Sequence, residues 1–297
     1  MEAEVPMTQV VMVGCGEVGL AYAEGVRGTA PSCDLVLLDP VPSPAALAFA
    51  DEAKLPLHQQ AGPWLGAADL LLLATPGGVL TAILDSLLPH LPAGAAIADM
   101  STASAEAKQA AAERCRSTGV SYADIAITGS VALGKAKTPL LYAGDEIPAL
   151  VGLLKQLDAP LTILEGSRPG DAMRVKLLRS VIMKGLEGLA VECLPAAREC
   201  GVLDQLWASL ADVDRTGFVP LLHAMVRTHP QHAARREHEV AQAAEQLERI
   251  GCPSTMTRAT EQRFAATNTA MGQSRPTVET TEDALDWLSG LQSDRRP

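Results

Sequence analysis

The sequence predicts an α/β domain with a doubly wound, mostly parallel sheet, followed by an all-α domain on a long connecting helix. Two observations lead to this prediction. Short, almost continuously apolar runs alternate with helical segments over about the first half of the chain, and from Asp171 onward apolar residues recur at helical steps only. Strands that are apolar throughout are typical of parallel sheets covered on both faces.

The predicted elements of the first half alternate strand with helix, except that the strands at Ser121–Ile127 and Leu140–Ala143 follow one another directly. We predict strands at Val10–Val13, Leu35–Leu38, Leu70–Ala74, Ala95–Ala98, Ser121–Ile127, Leu140–Ala143 and Leu161–Leu164. We predict helices near Val18–Arg27, Pro44–Ala53, Val79–Leu87, Ala103–Ser117 and Ile147–Gln156. This order predicts helices on both faces of a single sheet.

The second half is helical throughout. One long helix over Asp171–Cys200, ended by Gly201, has apolar stripes wide enough to be buried on more than one side. A later helix is predicted to start at Pro230 and to end at Gly251, and Ser289–Pro297 reads as a loose tail. The boundary falls at Ser167–Gly170, which gives an N-terminal domain over 1–166 and a C-terminal domain over 167–297.

The composition excludes several classes of protein. There are 24 Lys and Arg against 35 Asp and Glu, so the net charge is 24 − 35 = −11, which does not suit a nucleic-acid or anionic-membrane binder. No apolar run approaches a membrane span, and no signal sequence is expected. The six cysteines are scattered, without metal-ligand spacing, so we expect a cytoplasmic protein with no bound metal.

A glycine-rich turn follows the first strand and opens the first helix. Its residues are Gly14, Cys15, Gly16, Glu17, Val18 and Gly19, a GxGxxG pattern in the context of a Rossmann domain. Gly14 permits the tight turn, Gly16 lets a pyrophosphate approach the backbone, and Gly19 lets helix and strand pack closely. The alternative is a plain strand–helix turn.

Asp39 closes the second predicted strand, 20 residues after Gly19, where an acid accepts from a ribose hydroxyl. Its charge would repel a 2′-phosphate, and no Lys or Arg follows at once, so we expect NAD rather than NADP. The alternative is a turn residue before Pro40. Thr75 and Pro76 follow another strand at the same sheet edge and are expected to contact the cofactor.

Three further segments complete a recognisable pattern. They are Asp99-Met100-Ser101-Thr102, Asp124-Ile125-Ala126-Ile127-Thr128-Gly129-Ser130 and Gly170-Asp171-Ala172-Met173-Arg174-Val175-Lys176. With the glycine turn, their order resembles the β-hydroxyacid dehydrogenase family, which includes 3-hydroxyisobutyrate and 6-phosphogluconate dehydrogenases. The second half resembles the helical domain of a poorly characterised branch of 6-phosphogluconate dehydrogenase-like proteins.

The resemblance implies roles for individual residues. Lys176 matches the catalytic lysine, Ser101 and Thr102 match the loop between cofactor and substrate, and Thr128, Gly129 and Ser130 match the substrate loop Ser-Gly-Gly. Ser180 stands where the family has an asparagine. Met183 stands where 6-phosphogluconate dehydrogenases have a glutamate, so 6-phosphogluconate is not the expected substrate.

Physical chemistry supports Lys176 independently, because a lysine on a largely apolar helix is desolvated, its pKa falls, and it can exchange a proton near neutral pH. The alternatives are a solvated lysine or an ion pair with Asp171 or Glu187, and Lys184 is a weaker candidate.

His232 and Arg236 are predicted in the first turns of the helix at Pro230, where basic residues oppose the helix dipole and suggest a substrate carboxylate or phosphate. A surface turn, or a bridge from Arg236 to Glu239, is the alternative.

These inferences predict an oxidoreductase acting on CH–OH that transfers hydride between NAD and a small hydroxy acid, or its keto form, in a cleft between the domains. The partners expected are a small-molecule substrate and a second copy, bound through the helical domain. An imine reductase or reductive aminase, and a noncatalytic NAD(H) sensor, are the rival functions. Decarboxylation after oxidation is left open.

Overall fold

The computed structural model describes residues 8–30 and 32–293. The chain divides into two compact units, Met1–Ser180 and Val181–Pro297. The division falls inside a single helix, Asp171–Glu199, which therefore belongs to both units. The predicted boundary after residue 166 precedes that helix and stays a prediction.

The first unit is built on one eight-stranded sheet with the order β3-β2-β1-β4-β5-β6-β7-β8. The strands are β1 (Gln9–Val13), β2 (Asp34–Leu38), β3 (Leu57–His58), β4 (Leu70–Leu73), β5 (Ala96–Asp99), β6 (Ser121–Ile127), β7 (Leu140–Gly144) and β8 (Leu161–Ile163). All neighbouring pairs are parallel except β6 and β7. The sheet is therefore mostly parallel, as predicted.

Helices cover both faces of this sheet. They are α1 (Glu17–Thr29), α2 (Pro44–Ala53), α3 (Leu80–Leu87), α4 (Ala105–Ser117), α5 (Val131–Gly134) and α6 (Pro148–Gln156). Val10 and Met12 of β1 face a core formed with α1, α2 and α6, whereas Val11 and Val13 face a second core formed with α3 and α4. Side chains alternate across a strand, so a strand buried on both faces must be apolar at every position.

Strand β3 is absent from the prediction, because two residues are too few to show any periodicity. It nevertheless extends the sheet beside β2, where Leu37 pairs with Leu57 and Leu38 with His58. The short helix α5 is also absent from the prediction, and the other strands and helices of this unit lie within a few residues of their predicted bounds.

The second unit is helical throughout. It contains the C-terminal part of α7 (Asp171–Glu199), then α8 (Leu203–Ser209), α9 (Ala211–Thr216), α10 (Phe218–Arg249), α11 (Thr255–Gln273) and α12 (Thr281–Ser293). Glu192 of α7 accepts hydrogen bonds from the backbone N–H groups of Met256 and Thr257, at 2.8 and 2.9 Å. A carboxylate from one helix thus satisfies the free donors at the start of α11.

Two predictions for this half are wrong. Pro230 does not begin a helix but lies buried inside α10, which starts twelve residues earlier at Phe218. A proline costs an interior helical hydrogen bond, and here the contacts of α10 with α11 and α12 outweigh that cost. The predicted tail at Ser289–Pro297 is helical up to Ser293, as the end of α12, and its last four residues lie outside the described residues.

A buried ionic cluster lies where β5, β6 and α4 meet. The ammonium of Lys108 is 3.3 Å from Asp99 Oδ2 and 2.7 Å from Asp124 Oδ1, and it donates to the Asp99 carbonyl at 2.9 Å. The hydroxyl of Tyr122 donates to Asp99 Oδ2 at 2.5 Å. All four side chains are sealed from solvent, so two carboxylates share one cation within the core.

The same cluster fixes the start of α7. The second carboxylate oxygen of Asp124 accepts from the backbone N–H groups of Gly170 and Met173, each at 3.0 Å. Gly170 has a φ of +97°, and an added Cβ would lie 2.6 Å from the carbonyl oxygen of Ala105. Asp124 therefore caps α7 from a distant strand while α4 presses against the turn that precedes it.

In the part of the chain that the structure describes, no helix combines the length and the apolar character that a membrane span requires.

Replacing Lys108 with Met tests the cluster. Methionine keeps an apolar side chain of similar length but leaves Asp99 and Asp124 facing each other without a cation. We expect Lys108→Met to lower the free energy of unfolding by roughly 3–5 kcal/mol, measured by denaturant titration. Lys137→Met, which breaks the exposed pair with Asp158, is the matched control and is expected to cost less than about 1 kcal/mol. Equal losses in the two variants would contradict the proposed importance of the cluster.

Candidate functional site

The glycine-rich turn has the backbone that its sequence demands. Gly14 has a φ of +86°, and an added Cβ would lie 2.7 Å from the carbonyl oxygen of Ala74. A Cβ on Gly19 would lie 1.8 Å from the carbonyl oxygen of Gly14. Neither position admits a side chain, because the turn, β4 and α1 are in direct backbone contact.

Gly16 differs from the other two glycines because it faces open space. A Cβ added there would meet no atom within 4 Å. Gly16 is the N-cap of α1 and carries no side chain to bond the first helical N–H groups. Exposed donors and the positive end of the helix dipole thus lie beside an open backbone surface, which is the arrangement that receives a pyrophosphate.

The other residues of the turn take different positions. Glu17 is exposed, Val18 is half-buried, and Cys15 is buried with its side chain directed into the core. Burial and the nearby charge of Asp39 raise the pKa of the Cys15 thiol to about 12. Cys15 is therefore an apolar packing residue rather than a nucleophile.

The carboxylate of Asp39 is bonded to the glycine turn. Oδ2 accepts from the backbone N–H of Cys15 at 2.7 Å, and Oδ1 accepts from that of Val41 at 2.9 Å. The side chain is half-buried at the end of β2. Asp39 therefore closes a local turn, which was the alternative interpretation, and its contact with a ribose hydroxyl stays a prediction.

A cavity of about 480 Å³ opens next to Asp39. Its walls include Gly14, Leu38, Pro40 and Thr75, with Gln59–Ala61 and the end of α3 on the far side. The hydroxyl oxygen of Thr75 is buried and has no hydrogen-bond partner among the described residues. A largely apolar cavity with one unpaired hydroxyl, adjoining the glycine turn, fits the adenosine half of a dinucleotide.

The loop after β4 connects this cavity to the loop after β5, which carries Ser101 and Thr102. Pro76 is exposed, and a Cβ on the following Gly77 would lie 2.3 Å from the backbone nitrogen of Ala103. Ser101 is buried, and its backbone N–H donates to Asp99 at 2.8 Å. Thr102 is exposed at the surface of the same loop. The structure thus brings Thr75, Ser101 and Thr102 to one edge of the sheet.

The segment Thr128–Ser130 follows β6 at this edge. Thr128 bonds Pro139 through both its backbone N–H, at 2.9 Å, and its hydroxyl, at 3.1 Å. Gly129 and Ser130 are exposed, and a Cβ on Gly129 would lie 2.9 Å from the side chain of Thr138. The backbone of this loop is therefore fixed, while the hydroxyl of Ser130 is accessible.

Lys176 lies in the second turn of α7 and is half-buried. Burial lowers its pKa, the positive charge of Lys108 lowers it further, and the negative charge of Asp124 acts in the opposite direction. Among the described residues Lys176 has no ion pair, because Asp171 pairs with Arg174 and Glu187 pairs with Lys184. The predicted alternative of an ion pair is therefore wrong for both acids.

Lys108, Asp99 and Tyr122 are absent from the predicted site although they support it. The cluster joins the strand before Ser101, through Asp99, to the helix that carries Lys176, through Asp124. The signal was present in the sequence of α4, where Lys108 falls on the stripe formed by Ala105, Ala111, Ala112 and Cys115, which are all buried. A lysine at a buried position of a helix requires buried acids as partners.

The remaining predicted residues are farther along the chain. Ser180 is half-buried on α7, one turn after Lys176. His232 and Arg236 belong to the second unit and lie in the middle of α10, so the argument from a helix N-terminus does not apply to them. The predicted bridge from Arg236 to Glu239 is also wrong, because Arg235 makes it. Their contact with a substrate stays a prediction.

Comparison with known protein families finds one match within each of the two units. Residues 9–150 match the NAD binding domain of 6-phosphogluconate dehydrogenase, and residues 197–267 match a domain of unknown function (DUF1932). An uncharacterized 28.5 kDa protein from Methanothermus fervidus is 28% identical over 121 residues, which span 41% of this chain and 46% of that protein.

Solved structures resemble the chain over nearly its whole length. A conserved hypothetical protein from Sinorhizobium meliloti is 26% identical, with 97% of each chain covered and a TM-score of 0.59. Conserved protein MTH1747, described as structurally similar to 3-hydroxyacid dehydrogenases, is 22% identical, covers 89% of this chain and 98% of its own, and has a TM-score of 0.59. The imine reductase from Aspergillus terreus, in complex with NADPH4 and dibenz[c,e]azepine, is 16% identical, covers 95% and 99%, and has a TM-score of 0.75.

The similarities to MTH1747 and to the imine reductase show the fold alone, whereas the two family matches concern residues 9–150 and residues 197–267. The glycine turn, the capping at Gly16 and the cavity beside Asp39 fit an NAD(P) cofactor, in agreement with the first of these matches. Residues 9–150 therefore match an NAD(P)-binding domain of the 6-phosphogluconate dehydrogenase type and residues 197–267 match DUF1932, and the fold is similar to those of MTH1747 and the imine reductase.

Proposed function

We propose that the protein is an NAD-dependent oxidoreductase that interconverts a small hydroxy acid and its keto form, with Lys176 as the general acid and base. The observation that carries the proposal is the state of Lys176: half-buried, without an ion pair among the described residues, and with a lowered pKa. A lysine used for stability alone would be paired or solvated.

The residues divide the chemistry among them. A nicotinamide bound here would accept the hydride from the substrate carbon during oxidation and return it during reduction. The neutral amine of Lys176 takes the hydroxyl proton as the C–O bond becomes a carbonyl, and the ammonium returns that proton in the reverse direction. The exposed Thr102 and Ser130 offer hydroxyl groups to the substrate, and Ser180, one turn after the lysine, stands on the same helix.

The buried cluster gives Lys108 and Asp124 positioning roles. Asp124 holds the first turn of α7, from which Lys176 projects, and the fixed charge of Lys108 favours the neutral form of the Lys176 amine. Neither side chain is accessible to a substrate, because both are fully buried. They act on the reaction through Lys176 alone.

Lys176 is tested by replacement with methionine. We expect Lys176→Met to lower kcat by roughly 10²- to 10⁴-fold, because no other group takes the proton, and to leave the Kd for NADH unchanged. Lys184→Met, which removes an exposed lysine of the same helix, is the control and is expected to keep full activity.

In the oxidation direction the rate is expected to rise with pH through a pKa below that of an ordinary lysine, since the base must be neutral.

The measurement is turnover of a panel of hydroxy acids and cyclic imines with NAD(P)(H). An imine reductase is the second candidate function, favoured by the likeness of fold to the Aspergillus enzyme. Turnover of imines with none of hydroxy acids would decide for it. Undiminished turnover in Lys176→Met would contradict the assignment of the lysine, and cofactor binding without any turnover would favour a sensor.

Asp39 supports a preference for NAD over NADP. Its carboxylate stands beside the dinucleotide turn, and Pro40 and Val41 follow it without a cation to receive a 2′-phosphate. We expect kcat/KM to be higher with NADH than with NADPH, and Asp39→Asn to reduce the ratio by roughly tenfold or more, because like charges no longer repel. Asp34→Asn, at the opposite end of β2, is the control. A preference for NADPH in the unchanged protein would contradict the argument.

The exposed apolar side chains of α7 support a homodimer. Of the 21 large apolar side chains that the described residues expose, nine belong to this helix, and Val181 is 70% exposed. They are Val175, Leu177, Leu178, Val181, Ile182, Met183, Leu186, Leu189 and Val191. An apolar surface of this extent on one helix is typical of an interface between proteins. A dimer through α7 would also account for the wide apolar stripes in the sequence of this helix.

Light scattering tests the dimer. We expect a mass of twice 31.1 kDa, and we expect Val181→Glu to give a monomer because it places a charge in the apolar interface. Glu199→Gln, at the end of the same helix, is the control. A monomer in the unchanged protein at micromolar concentration would exclude this role for α7.

A further inference from the structure

A second cavity lies within the C-terminal unit, lined by side chains of α10, α11 and α12 and open to solvent. Its volume is about 400 Å³. Four apolar side chains form most of its wall, namely Met225, Val226, Phe264 and Leu288. Three basic side chains complete the wall: His229, Arg236 and Arg263. Neither the glycine turn nor Lys176 belongs to this unit, and the function proposed above uses none of the seven residues.

The two arginines lack counter-charges. No Asp or Glu lines the cavity, and neither Arg236 nor Arg263 forms an ion pair with any described residue. On the same two helices Arg235 bonds Glu239 and Arg258 bonds both Glu248 and Glu261, whereas Arg227 and Arg249, like the two arginines of the cavity, form no ion pair with a described residue. Arg236 and Arg263 thus bring two positive charges without an acid to one cavity, in a chain with a net charge of −11.

Hydrogen bonds hold the basic groups in place. Arg236 donates to the hydroxyl of Thr228 at 2.9 Å, and that hydroxyl donates to the carbonyl of Ala224 at 2.8 Å. His229 shares a hydrogen bond of 2.8 Å with the hydroxyl of the buried Thr267. Its ring lies 5.0 Å from that of Phe264, measured between centroids. The guanidinium of Arg236 keeps most of its donors free, because Thr228 uses only one of them.

The positive charges of the cavity affect the pKa of His229. Burial lowers the pKa of this histidine, and the positive charges of Arg263 and Arg236 lower it further. The cavity thus carries two permanent positive charges and a neutral imidazole. An anion is the ligand that would compensate these charges, and guanidinium groups bind carboxylates through paired hydrogen bonds.

We propose that this cavity binds a short-chain aliphatic carboxylate, with its carboxylate group on Arg236 and Arg263 and its alkyl chain against Met225, Val226, Phe264 and Leu288. The four apolar walls suit a carbon chain rather than a free inorganic anion. Because guanidinium groups also bind phosphate, the apolar wall is the feature that favours a carboxylate with a carbon chain, and inorganic phosphate is one of the probes in the test. The proposal does not depend on the redox chemistry assigned to Lys176.

Calorimetric titration of the full chain tests the proposal with three probes: butanoate, its neutral isostere butanamide, and inorganic phosphate. We expect butanoate to bind in the millimolar range and the other two to bind much more weakly. Arg263→Gln and Arg236→Gln are each expected to weaken butanoate by roughly tenfold or more, because each removes a charge-assisted hydrogen bond. Arg227→Gln, which changes an exposed arginine of α10 outside the cavity, is the matched control and is expected to leave the affinity unchanged.

The outcomes separate cleanly. Equal affinity for butanoate and butanamide, or butanoate binding that survives both Arg236→Gln and Arg263→Gln, would show that the arginines do not hold the carboxylate and would overturn the proposal. Phosphate binding tighter than butanoate would overturn it as well. Thermal unfolding of each variant checks that the fold is intact, and Arg263, being exposed, provides a variant with little structural risk. Titration with NADH, which we expect to be unchanged, keeps a failure here distinct from a failure of the proposed oxidoreductase.

Discussion

The carboxylate of Asp124 connects the parts of the first unit. One of its oxygens faces the ammonium of Lys108, and the other accepts two N–H groups at the beginning of α7. Removing a charge from water is costly, so such a group persists only where every partner is in place. The position of Lys176 is therefore set by a residue on a strand, and not by the loop that precedes the helix.

The sheet explains why so many distant segments converge. Parallel strands place their carboxyl ends side by side, and the segments after β1, β2, β4, β5 and β6 all emerge at that edge. Close backbone contacts then fix these segments against one another, as at Gly19 beside Gly14 and at Gly77 beside Ala103. The one glycine of the turn that meets no neighbour is Gly16, and it adjoins the surface where a phosphate group is expected.

Much of this architecture could be predicted from the sequence, because both signals involved are local. Periodicity predicted the strands and the long helix, and the glycine spacing predicted the turn. The sequence of α4 indicated a buried lysine, but only the tertiary contacts identify its partners, Asp99 and Asp124, on the strands before and after that helix. The predicted start of α10 was wrong because a proline usually marks the first turn of a helix. Pro230 instead lies inside α10, where packing against α11 and α12 compensates for the lost hydrogen bond.

Asp39 has a consequence for the residue beside it. Burial among apolar side chains and the negative charge of Asp39 keep the Cys15 sulfur protonated, and the thiolate, not the thiol, is the form that attacks peroxides and disulfides. A cysteine within a dinucleotide turn would otherwise expose the cofactor site to oxidative damage. Asp39 thus also shields the turn, so the glycine turn is expected to remain chemically intact under oxidative stress.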